Sequence, residues 1–339
     1  MSRQPTVTIA GAGALGLACA VALADAGLHV TVCDPAEPAA NASGVAAGMI
    51  APAFEAVLDA AARPHFDVLL AGRDLWPGLA ERAGIGLHRD GATAVGDEAW
   101  LEGVAAEFTR LGLHPAELPA ATAQVLAPGL SPAWTRALLT REDWRLDAVQ
   151  ALAALRAAAQ AAGVQFRSEA VTGRGDADLL VVATGAGPAP LAPELSVLSP
   201  IKGHILRVQA PWAAGVTVRG QGAYAAPGQA VMTVGATMEP GVADAAVDPA
   251  KAEPLRVAAA RLFPALADAR FELSAGVRAA TPDGLPLVGF GAEPGLILAA
   301  GARRNGWLLA PLVAHIVAAL AIGRDPGPYA ARFDPRRFP

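Results

Sequence analysis

The chain has 339 residues, of which 53% are hydrophobic and 17% charged, and its net charge is −5. That is enough apolar material for a large core and, by length, for two domains or one domain with a long insertion. The acidic balance argues against a nucleic-acid partner, which a basic face would recognise. The two cysteines, Cys19 and Cys33, form no CxxC, and the six histidines show no HxxxH or HExxH spacing, so no metal site is expected.

No apolar leader precedes the first strand. The longest apolar stretch, residues 307–322, carries Pro311 and His315 and falls short of a membrane span. The expectation is a cytoplasmic protein without a membrane anchor. In chain order, residues 6–10 are a β-branched run and predict a strand. Residues 14–26 are helix formers closed by Gly27, and residues 28–33 predict a second strand ending in Asp34. Residues 44–62 are small and apolar and begin as helix. The spacing of Val68, Leu69, Leu75 and Leu79 predicts one helix over 66–82.

Further strands are predicted over 136–140, 164–167 and 179–183, with a long helix over 146–162. From 201 to 234 the pattern alternates and is β-rich. A helix over 249–262 and strands over 272–277, 285–290 and 296–299 follow. The last helix begins near Asn305. A nucleotide-binding α/β core is thus split by a β-rich segment, and the chain returns to the core at its end.

Gly11-Ala-Gly13-Ala-Leu-Gly16 follows a strand and opens a helix. In such a turn Gly11 permits the bend, Gly13 lets backbone approach a pyrophosphate, and Gly16 allows helix to pack on strand. The helix amides from Ala14 and Leu15 onward point at the phosphates. Asp34 would accept hydrogen bonds from the adenosine ribose, or stand as a solvated acid at a strand end. The turn alone suits FAD and NAD equally. Residues 41–52 (NASGVAAGMIAP) are small enough for close approach to a flat ligand, with Ser43 in position to reach a phosphate. The same composition suits a helix start packed on the core.

In order, the chain carries GAGALG, SGVAAGMIAP, RLDAVQALAAL, LLVVATGAG, SPIKGHILRV, TVGATMEPG, GVRAATPDGLPLVG and GARRNGWLLAP. With these pieces, over roughly residues 6 to 330, the sequence resembles the glycine oxidase branch of the D-amino-acid oxidase superfamily, FAD-dependent amine oxidases. The resemblance implies an α/β protein with a Rossmann-like FAD-binding domain of glutathione-reductase type. That domain takes residues 1–80, 142–200 and 275–339, and an inserted mixed β-sheet substrate domain takes 81–141 and 201–274.

It also implies residue roles. Gly11, Gly13, Ala14, Leu15, Gly16 and Asp34 would hold the ADP half of non-covalent FAD. Ser43, Ala46, Ala47, Gly48 and Met49 would line its ribityl and flavin portion. Val171, at the end of a short strand, would hold the adenine side, and Thr184 and Gly185 would close the cofactor cleft. Arg278, Gly301, Arg303, Asn305, Gly306, Trp307 and Leu308 would lie along the isoalloxazine edge. Arg304 would pair with the substrate carboxylate through its planar fork, Tyr224 would donate to the same carboxylate, and Met238 would pack near the substrate Cα. The chain departs from its relatives in a short 170–178 stretch, in the GPAPLAP loop where a Trp is usual, and in Tyr224 lying one residue closer to Met238.

The implied activity is oxidative deamination of glycine or another small amino acid or amine. Hydride passes from Cα to flavin N5, and the imino acid hydrolyses to keto acid and ammonia. Dioxygen becomes hydrogen peroxide, in the setting of thiamine biosynthesis. A D-amino-acid or sarcosine-type oxidase, or a dehydrogenase with a non-oxygen acceptor, is the nearest alternative. An NAD-dependent dehydrogenase leaves the C-terminal return to the core unexplained. A non-catalytic FAD-binding subunit is expected to lack Arg304, which is present. Homo-oligomerisation stays open. The N-terminus of the last helix carries roughly half a positive charge; at the flavin N1–C2 edge it would stabilise the anionic reduced ring. Both cysteines fall in the first βαβ unit, so covalent attachment of flavin is not expected. Acid precipitation should leave yellow FAD in the supernatant; flavin retained by the precipitated chain would contradict this.

Overall fold

The computed structural model describes residues 4–187, 191–212, 214–229 and 231–338. β1 (Thr6–Ala10), α1 (Ala14–Asp25) and β2 (His29–Cys33) make the βαβ start, with β1 and β2 parallel and Ile9 opposite Val32. Val7, Ile9, Val30 and Val32 are buried, as the strands of a covered parallel sheet are. α2 (Ala42–Val45), β3 (Met49–Ile50), α3 (Pro52–Leu58), α4 (Phe66–Asp74) and α5 (Trp76–Ala83) follow. The single helix expected over 66–82 is therefore two, broken at Leu75. Pro77 has no N–H to give the Arg73 carbonyl, so the helical ladder stops and restarts there.

Residues 83–135, for which the pattern predicts no elements, supply β4 (Ala92–Ala94), α6 (Glu98–Arg110), β5 (Ala116–Pro119) and α7 (Ala120–Leu126). β6 (Arg136–Thr140), β7 (Trp144–Arg145), α8 (Ala148–Ala161), β8 (Gln165–Arg167) and β9 (Leu179–Val182) come next. β10 (Ser199–Gln209), β11 (Thr217–Gly220), β12 (Ala223–Pro227), β13 (Val231–Gly235) and β14 (Glu239–Pro240) form the β-rich segment. α9 (Pro249–Leu262), β15 (Glu272–Ala280), β16 (Leu287–Phe290), β17 (Leu296–Ala300), α10 (Gly306–Ala321) and α11 (Ala330–Phe333) close the chain. β15 runs three residues beyond the expected end at Val277, because it stays paired with β10 as far as Ala280 opposite Ser199.

Among the described residues, a six-stranded sheet has the order β16, β17, β9, β1, β2, β8, parallel except for the antiparallel β16–β17 edge. α1, α8 and α10 cover one face, over a core that includes Ile9, Leu17, Leu155 and Val313. Leu180, Leu195 and Leu287 pack on the other. A nine-stranded mixed sheet has the order β14, β10, β13, β12, β11, β4, β6, β5, with β15 also paired to β10. α9 covers part of it through Leu255, Ala259 and Leu262. α3 and α6 cover another part, where Phe54 and Phe108 meet edge to face with centroids 5.2 Å apart.

α10 is apolar on nearly every face and packs against α1 in the interior, as an all-round apolar helix must. No helix among the described residues is long and apolar enough to cross a membrane. Pro311 inside α10 leaves the Trp307 carbonyl, four residues earlier, without its helical donor. The indole Nε1 of buried Trp76 fills the gap, donating to Trp307 O at 2.9 Å. Trp76→Phe should therefore destabilise the fold by roughly 1–3 kcal/mol, the cost of a buried unpaired carbonyl added to lost packing. Pro311→Ala in the Trp76→Phe background should recover part of that, since it restores the backbone donor. If the two changes add in urea unfolding to within about 0.3–0.5 kcal/mol, the compensation is not real.

Candidate active site

The opening glycine turn is packed backbone to backbone. A Cβ at Gly16 would lie 2.0 Å from Gly11 O, and one at Gly11, where φ is +109°, would lie 2.4 Å from Ala183 O. Asp34 ties the turn down. Its Oδ2 accepts from Ala12 N at 2.7 Å and its Oδ1 from Ala36 N at 2.9 Å. An ionised carboxylate has about four lone-pair sites, so two remain for ribose hydroxyls. The N-cap of α1 is Gly13, and the first turn has no acidic residue. By helix geometry the amides of Leu15 and Gly16 have no intrahelical acceptor. Thr184 Oγ1 is buried beside this turn without a hydrogen-bond partner among the described residues. An anion-accepting turn and an orphaned buried hydroxyl fit a diphosphate-bearing cofactor.

Residues 42–50 have little side chain with which to build a core, and they are held by others. Asn41 Oδ1 accepts from Ser43 N at 3.0 Å and Gly44 N at 3.1 Å, capping α2. Arg207 Nη2, from β10, donates to Gly44 O at 3.0 Å and Val45 O at 2.9 Å. Leu146 N donates to Gly48 O at 2.9 Å, and Gly48 has φ +70°. Ser43 joins two distant ends of the chain: its Oγ accepts from Ala14 N at 3.0 Å, and its carbonyl accepts from Trp307 Nε1 at 3.0 Å.

Beside this segment opens a cleft of about 390 Å³. Ala46, Ala47, Gly48 and Met49 line one side, Asn305, Trp307 and Arg304 another, and Tyr224, Met238 and Arg278 the face of the second sheet. Met238 is 40% exposed, at the mouth. α10 begins at this cleft with Asn305 as its N-cap, so its positive end faces the cavity. Two glycines make room for the large side chains. A Cβ at Gly235 would lie 2.4 Å from Tyr224 Oη, and one at Gly203 would lie 2.4 Å from Arg278 Nη1. Tyr224 and Gly235 are directly paired across β12 and β13.

The charges are unevenly matched. Arg304 Nη2 lies 3.1 Å from Glu55 Oε1 and its Nη1 lies 3.2 Å from Asp59 Oδ2; Arg303 also pairs with Asp59. The Glu55 carboxylate holds the Arg304 guanidinium above its ordinary pKa despite burial. Burial alone would raise Asp59, but its hydrogen bond to Arg303 and the charges of Arg303 and Arg304 bring it below the usual range. Arg278 has no acidic partner within ion-pair distance among the described residues; its one hydrogen bond is 3.5 Å to Thr237 O. Burial pushes its pKa down. Burial likewise pushes the Tyr224 phenol up, so it stays a proton donor. Asp143 accepts from Ala53 N at 2.8 Å and Phe54 N at 3.1 Å at the start of α3, and burial pushes its carboxyl up to about 7.

The remaining expected residues fall elsewhere. Val171 does not end a strand: β8 stops at Arg167, and Val171 packs from the following loop beside the Leu180 core. Leu308 is 1% exposed in the core of the six-stranded sheet, its side chain turned away from the cleft. Gly301 is buried against Leu198 and Thr281, and Gly306 is the first residue of α10. Gly185 lines a neighbouring cavity with Leu195 and Ala279. Part of the GPAPLAP loop, residues 188–190, lies outside the described residues. Glu55, Asp59 and Arg219 go unanticipated: Glu55 and Asp59 sit four apart in an otherwise small, apolar stretch, and Arg219 stands among β-branched and small residues. Among the described residues no cluster of His, Cys, Asp or Glu could hold a metal.

A glycine turn at a strand–helix junction, opening beside a cleft of arginines and a tyrosine, defines a dinucleotide-dependent α/β oxidoreductase. Residues 6–320 match the family described as FAD dependent oxidoreductase (DAO), and the chain belongs to that family. Its cofactor is FAD. The glycine oxidase of Pseudomonas aeruginosa is 30% identical over 96% of this chain and 98% of its own length. The bifunctional protein ThiO/ThiG of Synechocystis is 32% identical over 100% of this chain, which spans only 55% of that relative. The crystal structure of glycine oxidase from Geobacillus kaustophilus superposes with a TM-score of 0.84, at 28% identity and 98% coverage of both chains.

Asp143 gives the site a pH signature. Its carboxyl titrates near 3.8 when unfolded and at about 7 when folded. Between those values the folded chain keeps a proton that the unfolded chain has lost. Stability should therefore fall as pH rises through that window and level off above it. Asp143→Asn should flatten this slope in urea midpoints measured across the window. Equal slopes in both proteins would show that Asp143 ionises normally.

Proposed function

We propose that this chain oxidises a small amino acid or amine at Cα, with the substrate carboxylate held by Arg278 and Tyr224. The observation that carries the reading is a half-buried guanidinium with no acid within ion-pair distance among the described residues, lying over Gly203 in the same cleft wall as a half-buried phenol over Gly235. A carboxylate entering there gains charge-assisted hydrogen bonds and relieves an uncompensated charge. Arg304, which the resemblance assigns to the carboxylate, already has its fork on Glu55 and Asp59. Its proposed part is to hold those acids and shape the wall.

The glycine turn, Asp34 and Ser43 would hold the ADP half of FAD, and residues 46–49 with Asn305 and Trp307 its flavin half. FAD, when bound, takes two electrons from the substrate and hands them to an acceptor, proposed to be dioxygen with release of hydrogen peroxide. This chain's residues position the substrate. Arg278 fixes the carboxylate plane bidentately, Tyr224 Oη donates a further bond, and Met238 covers the mouth near Cα. The oxidised product, an imino acid, hydrolyses in water to keto acid and ammonia. Glycine is a proposed substrate on the likeness to two glycine oxidases, and thiamine biosynthesis is the proposed setting by the same resemblance.

Peroxide release with glycine, sarcosine, D-alanine and D-proline tests the reading. Arg278→Met should keep FAD and lower kcat/KM roughly ten- to hundredfold, mainly through KM, as loss of a charge-assisted pair predicts. Arg278→Lys should recover little, because a point charge does not replace the fork. A holoenzyme whose flavin is not bleached anaerobically by any of these amines would sink the assignment.

A further inference from the structure

Arg278 and Tyr224 account for one carboxylate and leave another cation in the cleft, this one fully buried, unexplained. Arg219, on β11, is directly paired with Tyr224 on β12 and is 3% exposed. Its Cζ lies 5.7 Å from the Phe54 ring centroid and 5.5 Å from that of Tyr224. It lines the cleft. Its Nε and Nη2 are buried with no hydrogen-bond partner among the described residues. Glu55 Oε1 lies 3.6 Å from Nη2, an ion pair beyond hydrogen-bond reach, and is already bonded to Arg304; Glu55 Oε2 is likewise buried without a hydrogen bond among the described residues.

A purely structural arginine at this depth would be expected to have its donors met, because a buried unpaired N–H is costly. Asp143 does not meet them. Burial pushes its carboxyl up and the nearby Arg219 charge pulls it back, but both its oxygens already serve the amides of Ala53 and Phe54. The charges lining the cleft are Arg219, Arg278 and Arg304 against Glu55. Glu55 and the neighbouring Asp59 occupy Arg304, and one substrate carboxylate would occupy Arg278. Arg219 then remains with two open donors among the described residues, its charge met only by a Glu55 carboxylate that it shares with Arg304.

We propose that Arg219 binds a second anionic group on the substrate, so that the preferred substrates are dianionic amines: an acidic amino acid, or an amine bearing two carboxymethyl arms. This rests on the amine-oxidase reading above and narrows its substrate class. Arg219 is a specificity residue, and the oxidation at Cα is unchanged.

The test measures kcat/KM of the holoenzyme for glycine, sarcosine, D-aspartate, D-glutamate and iminodiacetate. At least one dianionic amine should exceed glycine by roughly tenfold or more. Arg219→Gln should cut that advantage by roughly ten- to hundredfold, and Arg219→Lys should restore part of it by returning the charge. As a readout independent of turnover, malonate or succinate should raise the thermal midpoint of wild-type protein more than acetate does, and this difference should vanish in Arg219→Gln. A wild type that prefers glycine and discriminates neither dianionic amines nor dicarboxylates overturns the proposal and leaves the oxidase reading standing. Equal losses for glycine and the diacids in Arg219→Gln also overturn it. Should that variant lose FAD, the wild-type panel and the dicarboxylate shifts decide. Flavin reduction by none of the amines removes the oxidase reading itself.

Discussion

The two ends of the chain meet through Ser43, and the cleft exists because they do. Its hydroxyl takes the Ala14 amide at the head of α1, and its carbonyl takes the Trp307 indole at the head of α10. Trp307 is fixed in turn by Trp76, whose indole fills the carbonyl that Pro311 leaves open. A proline in the interior of a helix would ordinarily cost several kcal/mol. Here it frees an acceptor that locks α5 onto α10. The glycine turn and the Arg-Asn-Gly turn, almost the whole chain apart in sequence, are thereby held on one side of the molecule.

The second constraint is charge taken out of water. Four arginines (Arg219, Arg278, Arg303 and Arg304) surround Glu55 and Asp59 in and beside one cleft, and desolvation would exceed their mutual attraction unless geometry were tightly held. The sheet supplies that geometry. Gly203 and Gly235 remove the two Cβ atoms that would otherwise displace Arg278 and Tyr224. Direct pairing of Arg219 with Tyr224, and of Tyr224 with Gly235, sets those residues in one row across β11, β12 and β13. A slip of one residue would turn this row to the opposite face.

Local features were legible in the sequence. The βαβ start, the glycine turn, the strand over Arg136–Thr140 and the helix over Pro249–Leu262 follow from period and from Gly and Pro placement. Non-local ones were not. Nothing around Arg219 or Glu55 distinguishes them from surface charges until β11 is laid beside β12 and α3 is brought against Arg219. Period alone also missed the break at Leu75, although Pro77 is a direct signal for it. Residues 83–135 mix short strands with short helices, so neither period is sustained long enough to read. Arg278 was visible as a motif residue, but its lack of an acid within ion-pair distance among the described residues, and the engagement of Arg304, depend on side chains that meet only in three dimensions.

This division has a consequence for how such a site changes. The dinucleotide half is built from backbone: glycines whose Cβ atoms would strike carbonyls at 2.0–2.4 Å, and helix amides whose donors are fixed by the fold. It admits almost no substitution. The substrate half is built from side chains projecting off β11, β12 and β15, with Gly203 beneath Arg278 and Gly235 beneath Tyr224, and each can be exchanged without altering the ladder beneath it. The choice between one anionic group and two then depends on a single position across from Tyr224, while the glycine turn at the start of the chain stays as it is.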